Sequence, residues 1–266
     1  MCKFLNVRSL IAQFTVLNNI VTGRQSCTSL SQMASSSGEC VVNATGKPTG
    51  LVIFLHGLGD TGDGWCSLFE TIRQKNVKYV FPHAEKMPVS LNMGMRMPSW
   101  FDIKSLDMSG EEDEAGITKS AERIRELIKK EQKAYSIPSN RVILGGFSMG
   151  GALALYTGLT HKEPLGGLIL LSSWLPLREK FSKSQDEFSL VNQTCPIFQG
   201  HGEADPIVNI KFGSITHEVL HKARKAAGQS DPPVQFTTYK HLGHSSSDQE
   251  MKDVLQFVQK HLSECS

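Results

Sequence analysis

No run of this chain is apolar for long enough to cross a bilayer, which takes about 20 residues. Charge of one sign is also lacking. Lys and Arg number 28 against 26 Asp and Glu, a formal net charge of +2, which leaves no electrostatic case for a nucleic-acid partner. The six cysteines (Cys2, Cys27, Cys40, Cys66, Cys195, Cys265) are scattered and never spaced as Cys-x-x-Cys. An even count permits disulfides, but in a chain this size without a clear secretory signal the expectation is free thiols in a reducing compartment. No metal site is expected.

Acid is missing from the start of the chain: Lys3, Arg8 and Arg24 are unopposed until Glu39, and Ser and Thr are frequent from Thr22 onward. Basic, acid-poor and Ser-rich is the composition of a mitochondrial transit peptide. Leu5, Leu10, Ile11, Phe14 and Leu17 could form one apolar face of a short helix. Three readings stand: a transit peptide over residues 1–32, a tail acylated at Cys2, or an unimportant extension removed by a start at Met33. Residues 1–40 are therefore assigned to an N-terminal extension and 41–266 to one domain. With 266 residues, 20% charged and 39% apolar, the chain can bury a large core.

What is present is a series of short apolar runs alternating with helical patterns. Gly50–Leu55, Val77–Phe81, Arg141–Gly145, Gly167–Ser172, Pro196–Gly200 and Val234–Tyr239 read as strands, mostly buried on both faces. Residues 113–135, with Ile117, Ala121, Ile124, Leu127 and Ile128 at helical spacing, form an amphipathic helix that ends before Pro138. Further helices are expected over 149–160, 210–227 and 249–262, and a long methionine-bearing loop over 87–107. Strands alternating with helices specify an α/β fold, a mostly parallel sheet with helices on both faces.

Functional groups of such sheets gather on loops past the carboxyl ends of the strands. After the Arg141–Gly145 strand comes Gly146-Phe147-Ser148-Met149-Gly150, a Gly-x-Ser-x-Gly between strand and helix, which has the form of a nucleophile elbow. Gly146 and Gly150 are expected to supply small bulk and strained dihedrals. After the next strands come His201-Gly202-Glu203-Ala204-Asp205-Pro206 and His241-Leu242-Gly243-His244-Ser245. For the acid, Asp205 competes with Glu203, and Pro206 holds the Asp205 backbone. For the base, His244 competes with His201 and His241, and Gly243 lets the His244 ring swing over the serine. Ser, acid, His is the chain order of α/β-hydrolases. The first strand runs into His56-Gly57-Leu58-Gly59, where the Leu58 N–H is the expected partner of the Met149 N–H in an oxyanion hole.

The chain resembles the acyl-protein thioesterases, or lysophospholipase I/II-type serine hydrolases, over roughly residues 48–262. The resemblance is carried by Phe54-Leu55-His56-Gly57-Leu58-Gly59-Asp60-Thr61-Gly62, Pro98-Ser99-Trp100-Phe101-Asp102, Ile137-Pro138-Ser139-Asn140-Arg141, Leu144-Gly145-Gly146-Phe147-Ser148, Ser173-Trp174-Leu175-Pro176-Leu177-Arg178 and His244-Ser245-Ser246. It implies an α/β-hydrolase fold without a separate lid domain. It also implies hydrolysis of S-acyl (palmitoyl) thioesters on protein cysteines, side activity on lysophospholipids and small esters, and no cofactor. Carried over, the catalytic residues are Ser148, Asp205 and His244, with Leu58 and Met149 as oxyanion donors. Leu58, Met93, Trp174 and Leu175 are candidates for binding the acyl chain, and Met95 and Met97 stand beside them. Arg96 could meet anionic headgroups during transient contact with a membrane surface. Cytoplasmic action is expected, or mitochondrial if residues 1–32 act as a transit peptide. The chain departs from the family's usual pattern at Met149, where Gln is common, and at Asp63, where His is common.

Overall fold

The computed structural model describes residues 38–105, 110–183, 192, 194–226, 228 and 234–263. In chain order its elements are β1 (Glu39–Val42), β2 (Gly50–Leu55), α1 (Gly62–Ile72), β3 (Val77–Pro82), β4 (Lys86–Val89), β5 (Met95–Pro98), α2 (Glu114–Tyr135), β6 (Val142–Phe147), α3 (Met149–Leu159), β7 (Gly167–Leu171), α4 (Arg178–Lys183), β8 (Ile197–Gly202), α5 (Ile210–Ala226), β9 (Val234–Tyr239) and α6 (Asp248–Leu262). Seven strands form one sheet in the order β1-β3-β2-β6-β7-β8-β9. All neighbours are parallel except β1, which runs antiparallel to β3 along one edge.

The continuous apolar runs are explained by burial on both faces. Along β2, Leu51, Ile53 and Leu55 point to one side, against Ile117, Ala121, Ile124 and Ile128 of α2 and Leu153 of α3. Val52 and Phe54 point to the other, against Trp65 and Phe69 of α1 and Val254 and Phe257 of α6. The period of 2 in each strand meets the period of 3.6 in each helix, and the core divides into two layers with the sheet between them. Buried Lys78 of β3 ties α2 to the sheet, its ammonium 2.5 Å from Glu131 and 4.4 Å from the centre of the Tyr135 ring.

The six expected strands and four expected helices all form. Several features, the short helix α4 among them, were not anticipated. The first described element is β1, which spans the expected boundary at residue 41. Helix α1 follows the His-Gly-Leu-Gly loop. The segment expected as a loop over 87–107 contains the antiparallel hairpin β4–β5. The unexpected strands have four residues each, too few alternations to be read from periodicity.

The expectation of free thiols is corrected at one pair. Cys40 of β1 and Cys66 of α1 form a disulfide across 26 residues of sequence. The antiparallel pairing of β1 with β3, and the return of α1 over the same strands, bring their Cα atoms to 6.1 Å. Cys195 is a free, buried thiol whose pKa burial pushes up to about 12. Cys2, Cys27 and Cys265, and the extension over residues 1–37, lie outside the described residues.

Candidate active site

β6 ends at Phe147 and α3 begins at Met149, so Ser148 alone makes the turn. Its dihedrals, φ 55° and ψ −122°, lie where L-residues are strained. The turn is held by the Ser148 N–H, which donates to the Leu171 carbonyl of β7 at 2.8 Å, and by the Ala152 N–H, which donates to the Ser148 carbonyl. The flanking glycines act through size alone, a correction to the expected dihedral strain: neither has a positive φ. A Cβ on Gly146 would sit 2.4 Å from the Gly150 carbonyl carbon, and one on Gly150 would sit 2.2 Å from the Leu55 carbonyl oxygen. Strain is confined to the serine.

The acid and base stand on neighbouring strand ends. Pro206 has no N–H, so the Asp205 carboxylate collects the two amides after it, with Ile207 and Val208 each donating to Oδ1 at 2.9 Å. Oδ2 is left for the His244 imidazole, whose Nδ1 lies 2.7 Å away. The His244 Nε2 is 3.0 Å from the Ser148 Oγ, and the ring packs on Phe147 with centroids 4.7 Å apart. The loops after β8 and β9 are tied together by the Glu203 N–H on the Tyr239 carbonyl and the Ala204 N–H on the Leu242 carbonyl, each 3.0 Å. The glycine this approach requires is Gly202, where a Cβ would meet the Leu242 oxygen at 2.3 Å. Gly243 has open space around its Cα.

The competing residues are placed elsewhere. His201 is fully buried, its Nε2 2.8 Å from the Val208 carbonyl, and burial lowers its pKa so that it stays neutral beside Asp205. His241 is exposed with φ 59°. Glu203 points outward and accepts from the Thr238 hydroxyl at 2.8 Å.

Beside the serine lies the loop after β2. Since Leu55 of β2 pairs with Gly146 of β6, the His56–Gly59 loop and the elbow leave the sheet side by side. Among the described residues, neither the Leu58 nor the Met149 amide donates to a protein carbonyl. His56 organises the loop: its Nδ1 is 2.7 Å from the Gly57 carbonyl and its Nε2 accepts from the Ala84 N–H at 3.0 Å. That pattern fits a neutral ring, and burial lowers its pKa to about 4. The Trp100 indole N–H donates to the His56 carbonyl at 2.9 Å. The Met149 side chain is fully buried, and its Sδ lies 3.4 Å from the Trp100 N–H and 3.5 Å from the Ser99 Oγ. A thioether is a weak acceptor, so the contact from the Trp100 N–H is a weak one.

A cleft of about 790 Å³, counting its open mouth, lies between the segment after β5 and the start of α5; neither Ser148 nor His244 lines it, and Val208, which binds Asp205, is its nearest link to the triad. Trp174 and Leu175 line it with Phe101, Ile103, Val208 and Phe212. Leu58 packs at the edge of the core and Met93 lies at the hairpin tip, 86% exposed; neither lines this cleft. Met95 and Arg96 of β5 are exposed as well. Asp63 faces solvent in the first turn of α1, a favourable end of the helix dipole for an acid. Among the described residues no three His, Cys, Asp or Glu side chains are grouped to hold a metal ion.

Comparison with known proteins agrees with this fold. The family model for phospholipase/carboxylesterase matches residues 36–262. "Acyl-protein thioesterase 1" of Mycosarcoma maydis is 43% identical over 226 residues, covering 80% of this chain and 92% of that protein. The protein of the same name from Neurospora crassa is 43% identical over 233 residues, covering 84% and 91%. Among solved structures, Zea mays acyl-protein thioesterase 2 superposes with a TM-score of 0.74 at 32% identity, covering 85% of this chain and 99% of that one. With matches of this length over an α/β-hydrolase sheet, the chain belongs to the phospholipase/carboxylesterase family and, within it, to the acyl-protein thioesterases.

Proposed function

We propose that this hydrolase removes fatty acyl groups from protein cysteines, cleaving S-acyl (palmitoyl) thioesters through a covalent acyl-serine. The observation that carries the mechanism is the chain of short contacts from Asp205 Oδ2 to His244 Nδ1 and from His244 Nε2 to Ser148 Oγ. Serine is a weak nucleophile at neutral pH, and an adjacent imidazole makes it effective. As the Ser148 Oγ bonds to the acyl carbon, its proton passes to the His244 Nε2, and the carbonyl electrons move onto oxygen. The Leu58 and Met149 N–H groups stabilise that oxyanion. Collapse breaks the carbon–sulfur bond, and the imidazolium returns the proton to the departing cysteine sulfur. Water then enters, loses a proton to His244 and attacks the acyl-serine; collapse breaks the bond from the acyl carbon to the Ser148 Oγ, which takes the proton back from His244 as the fatty acid leaves. The Asp205 carboxylate holds the tautomer and stabilises the imidazolium in both halves.

The acyl chain is assigned to the cleft beside Trp174 and Leu175, where each buried CH₂ contributes about 0.8 kcal/mol. Partners are S-acylated proteins, with lysophospholipids and small esters as lesser substrates. The assay is a substrate panel: an S-palmitoylated peptide, lysophosphatidylcholine and a short-chain ester, with the Ser148→Ala variant alongside. Preference for the peptide, lost in Ser148→Ala, is expected. Higher kcat/KM on either ester would make the protein a lysophospholipase or carboxylesterase instead.

The proposed place of action is the cytoplasm, with transient contact to membranes where acylated proteins reside, or the mitochondrion if residues 1–32 act as a transit peptide. Exposed Met93, Met95 and Arg96 support the membrane contact. The Cys40–Cys66 bond weighs against a reducing compartment. Localising full-length and Met33-start proteins, and trapping thiols during extraction, decides between these.

A further inference from the structure

The two proposed oxyanion donors belong to different segments, and a hole made from separate segments works only if their spacing is held. Leu58 lies on the loop after β2, and Met149 opens α3. One short stretch, Pro98 to Phe101, touches both. On the loop side, the Gly59 N–H donates to the Pro98 carbonyl at 2.8 Å and the Trp100 indole N–H donates to the His56 carbonyl at 2.9 Å. On the elbow side, the Trp100 amide donates to the Met149 Sδ at 3.4 Å; the Ser99 Oγ lies 3.5 Å from that sulfur but donates its proton to the Phe101 carbonyl at 2.6 Å. Leu58 is thus bracketed, with His56 and Gly59 bound to the strap while its own N–H donates to no carbonyl among the described residues.

The strap is itself rigid. Trp100 is 3% exposed, its ring packs 5.1 Å from the His56 ring, and the Arg123 guanidinium of α2 lies 5.8 Å above it. The Ser120 hydroxyl of α2 donates to the Trp100 carbonyl, and the Ser99 amide donates to the Glu85 carbonyl at 3.0 Å. The same stretch continues into Phe101 and Ile103, which line the cleft.

We propose that Trp100 and the Met149 thioether are positioning residues for the oxyanion hole: the strap fixes the Leu58 amide relative to the Met149 amide, and the thioether is its anchor on the elbow. This rests on the reading that Ser148 attacks an acyl carbon and that the two amides receive the oxyanion. A donor displaced by part of an ångström keeps substrate binding and loses transition-state stabilisation.

Three variants test it. Trp100→Phe removes the indole donor and keeps a ring; Met149→Leu removes the acceptor at similar volume; Met149→Gln supplies a stronger acceptor in its place. Rates are normalised by fluorophosphonate titration, which counts only folded sites. Trp100→Phe and Met149→Leu are each expected to lower kcat by about 10-fold with KM unchanged. Affinity for an oxyanion mimic such as a trifluoromethyl ketone should fall by the same factor. Met149→Gln should recover part of the loss seen in Met149→Leu. Normalised kcat and mimic affinity unchanged in both Trp100→Phe and Met149→Leu would overturn the inference, as would a loss confined to KM. If Ser148→Ala itself keeps its activity, the reading beneath it fails instead.

Discussion

At the residue scale the site is built from one strained position and several crowded ones. Only Ser148 holds a positive φ within the elbow, while Gly146 and Gly150 exist because backbone lies where a Cβ would be. This separates stability from activity at a single residue. Glycine reaches φ 55°, ψ −122° without side-chain strain, so Ser148→Gly should be inactive yet more stable, by about 1 kcal/mol after the entropy cost of glycine is subtracted. Thermal melting should show a midpoint raised by about 2–4 °C. A lowered midpoint would mean that the turn carries no strain. The meeting of Ser148, Asp205 and His244, the proposed triad, was legible because each follows a recognisable strand. The roles of His56 and Trp100 were not, since their partners Ala84 and His56 are 28 and 44 positions away in the chain.

At the scale of elements, β1 is an edge strand of only four residues, held by β3 on one side and by the Cys40–Cys66 bond to α1. A crosslink closing 26 residues removes unfolded-state freedom worth about 3 kcal/mol. Reduction, or the double change Cys40→Ser with Cys66→Ala, should lower the urea midpoint accordingly. Because β1 lies at the far edge from β8 and β9, which carry Asp205 and His244, turnover at 25 °C should change little.

The β4–β5 hairpin presents Met93, Met95 and Arg96 to solvent. Met93→Glu with Met95→Glu should weaken sedimentation with anionic vesicles by about 10-fold, since each side chain exchanges up to about 1.5–3 kcal/mol of burial for a repelled charge. Hydrolysis of a soluble short-chain ester should stay near the parent rate. Equal vesicle binding would remove the hairpin from the membrane contact. The hairpin was hidden in the sequence because its methionines resemble core residues, and burial cannot be read from residue type alone.

At the scale of the molecule, buried titratable groups set opposing pH slopes. Burial, then the nearby Asp253 charge, push the Glu250 carboxyl up to about 8, and its two oxygens have no partner among the described residues. The folded protein therefore keeps a proton that the unfolded chain loses near 4.5, and stability falls as pH rises from 4.5 to 8. His56 works the other way. Burial holds its folded pKa to about 4, so stability falls as pH drops from 6.5 toward 4. His161 and His201, lowered by burial, add slopes of the same sign. Only above about pH 7.5 are the unfolded histidines largely neutral, so that Glu250 dominates there, with a slope below about 1.4 kcal/mol per pH unit that fades above its folded pKa. Urea titrations at pH 7.5 and 8 should show this decline, and Glu250→Gln should flatten it. An unchanged slope in Glu250→Gln would assign the decline to other groups.

The sequence by itself determined the alternation of strands and helices, the order Ser148, Asp205, His244, and the loops on which they sit. These follow from local periodicity and from turn residues beside strand ends, which are properties of neighbouring positions. Tertiary structure alone decided that Cys40 meets Cys66, that the methionine-bearing segment doubles back as a hairpin, and that His56 and Trp100 hold the loop beside Ser148. It also decided that Met149 offers its sulfur to Trp100 as well as leaving its amide free. Each of these depends on which strands lie side by side in the sheet. That adjacency is set by packing between distant segments, and no local pattern encodes it.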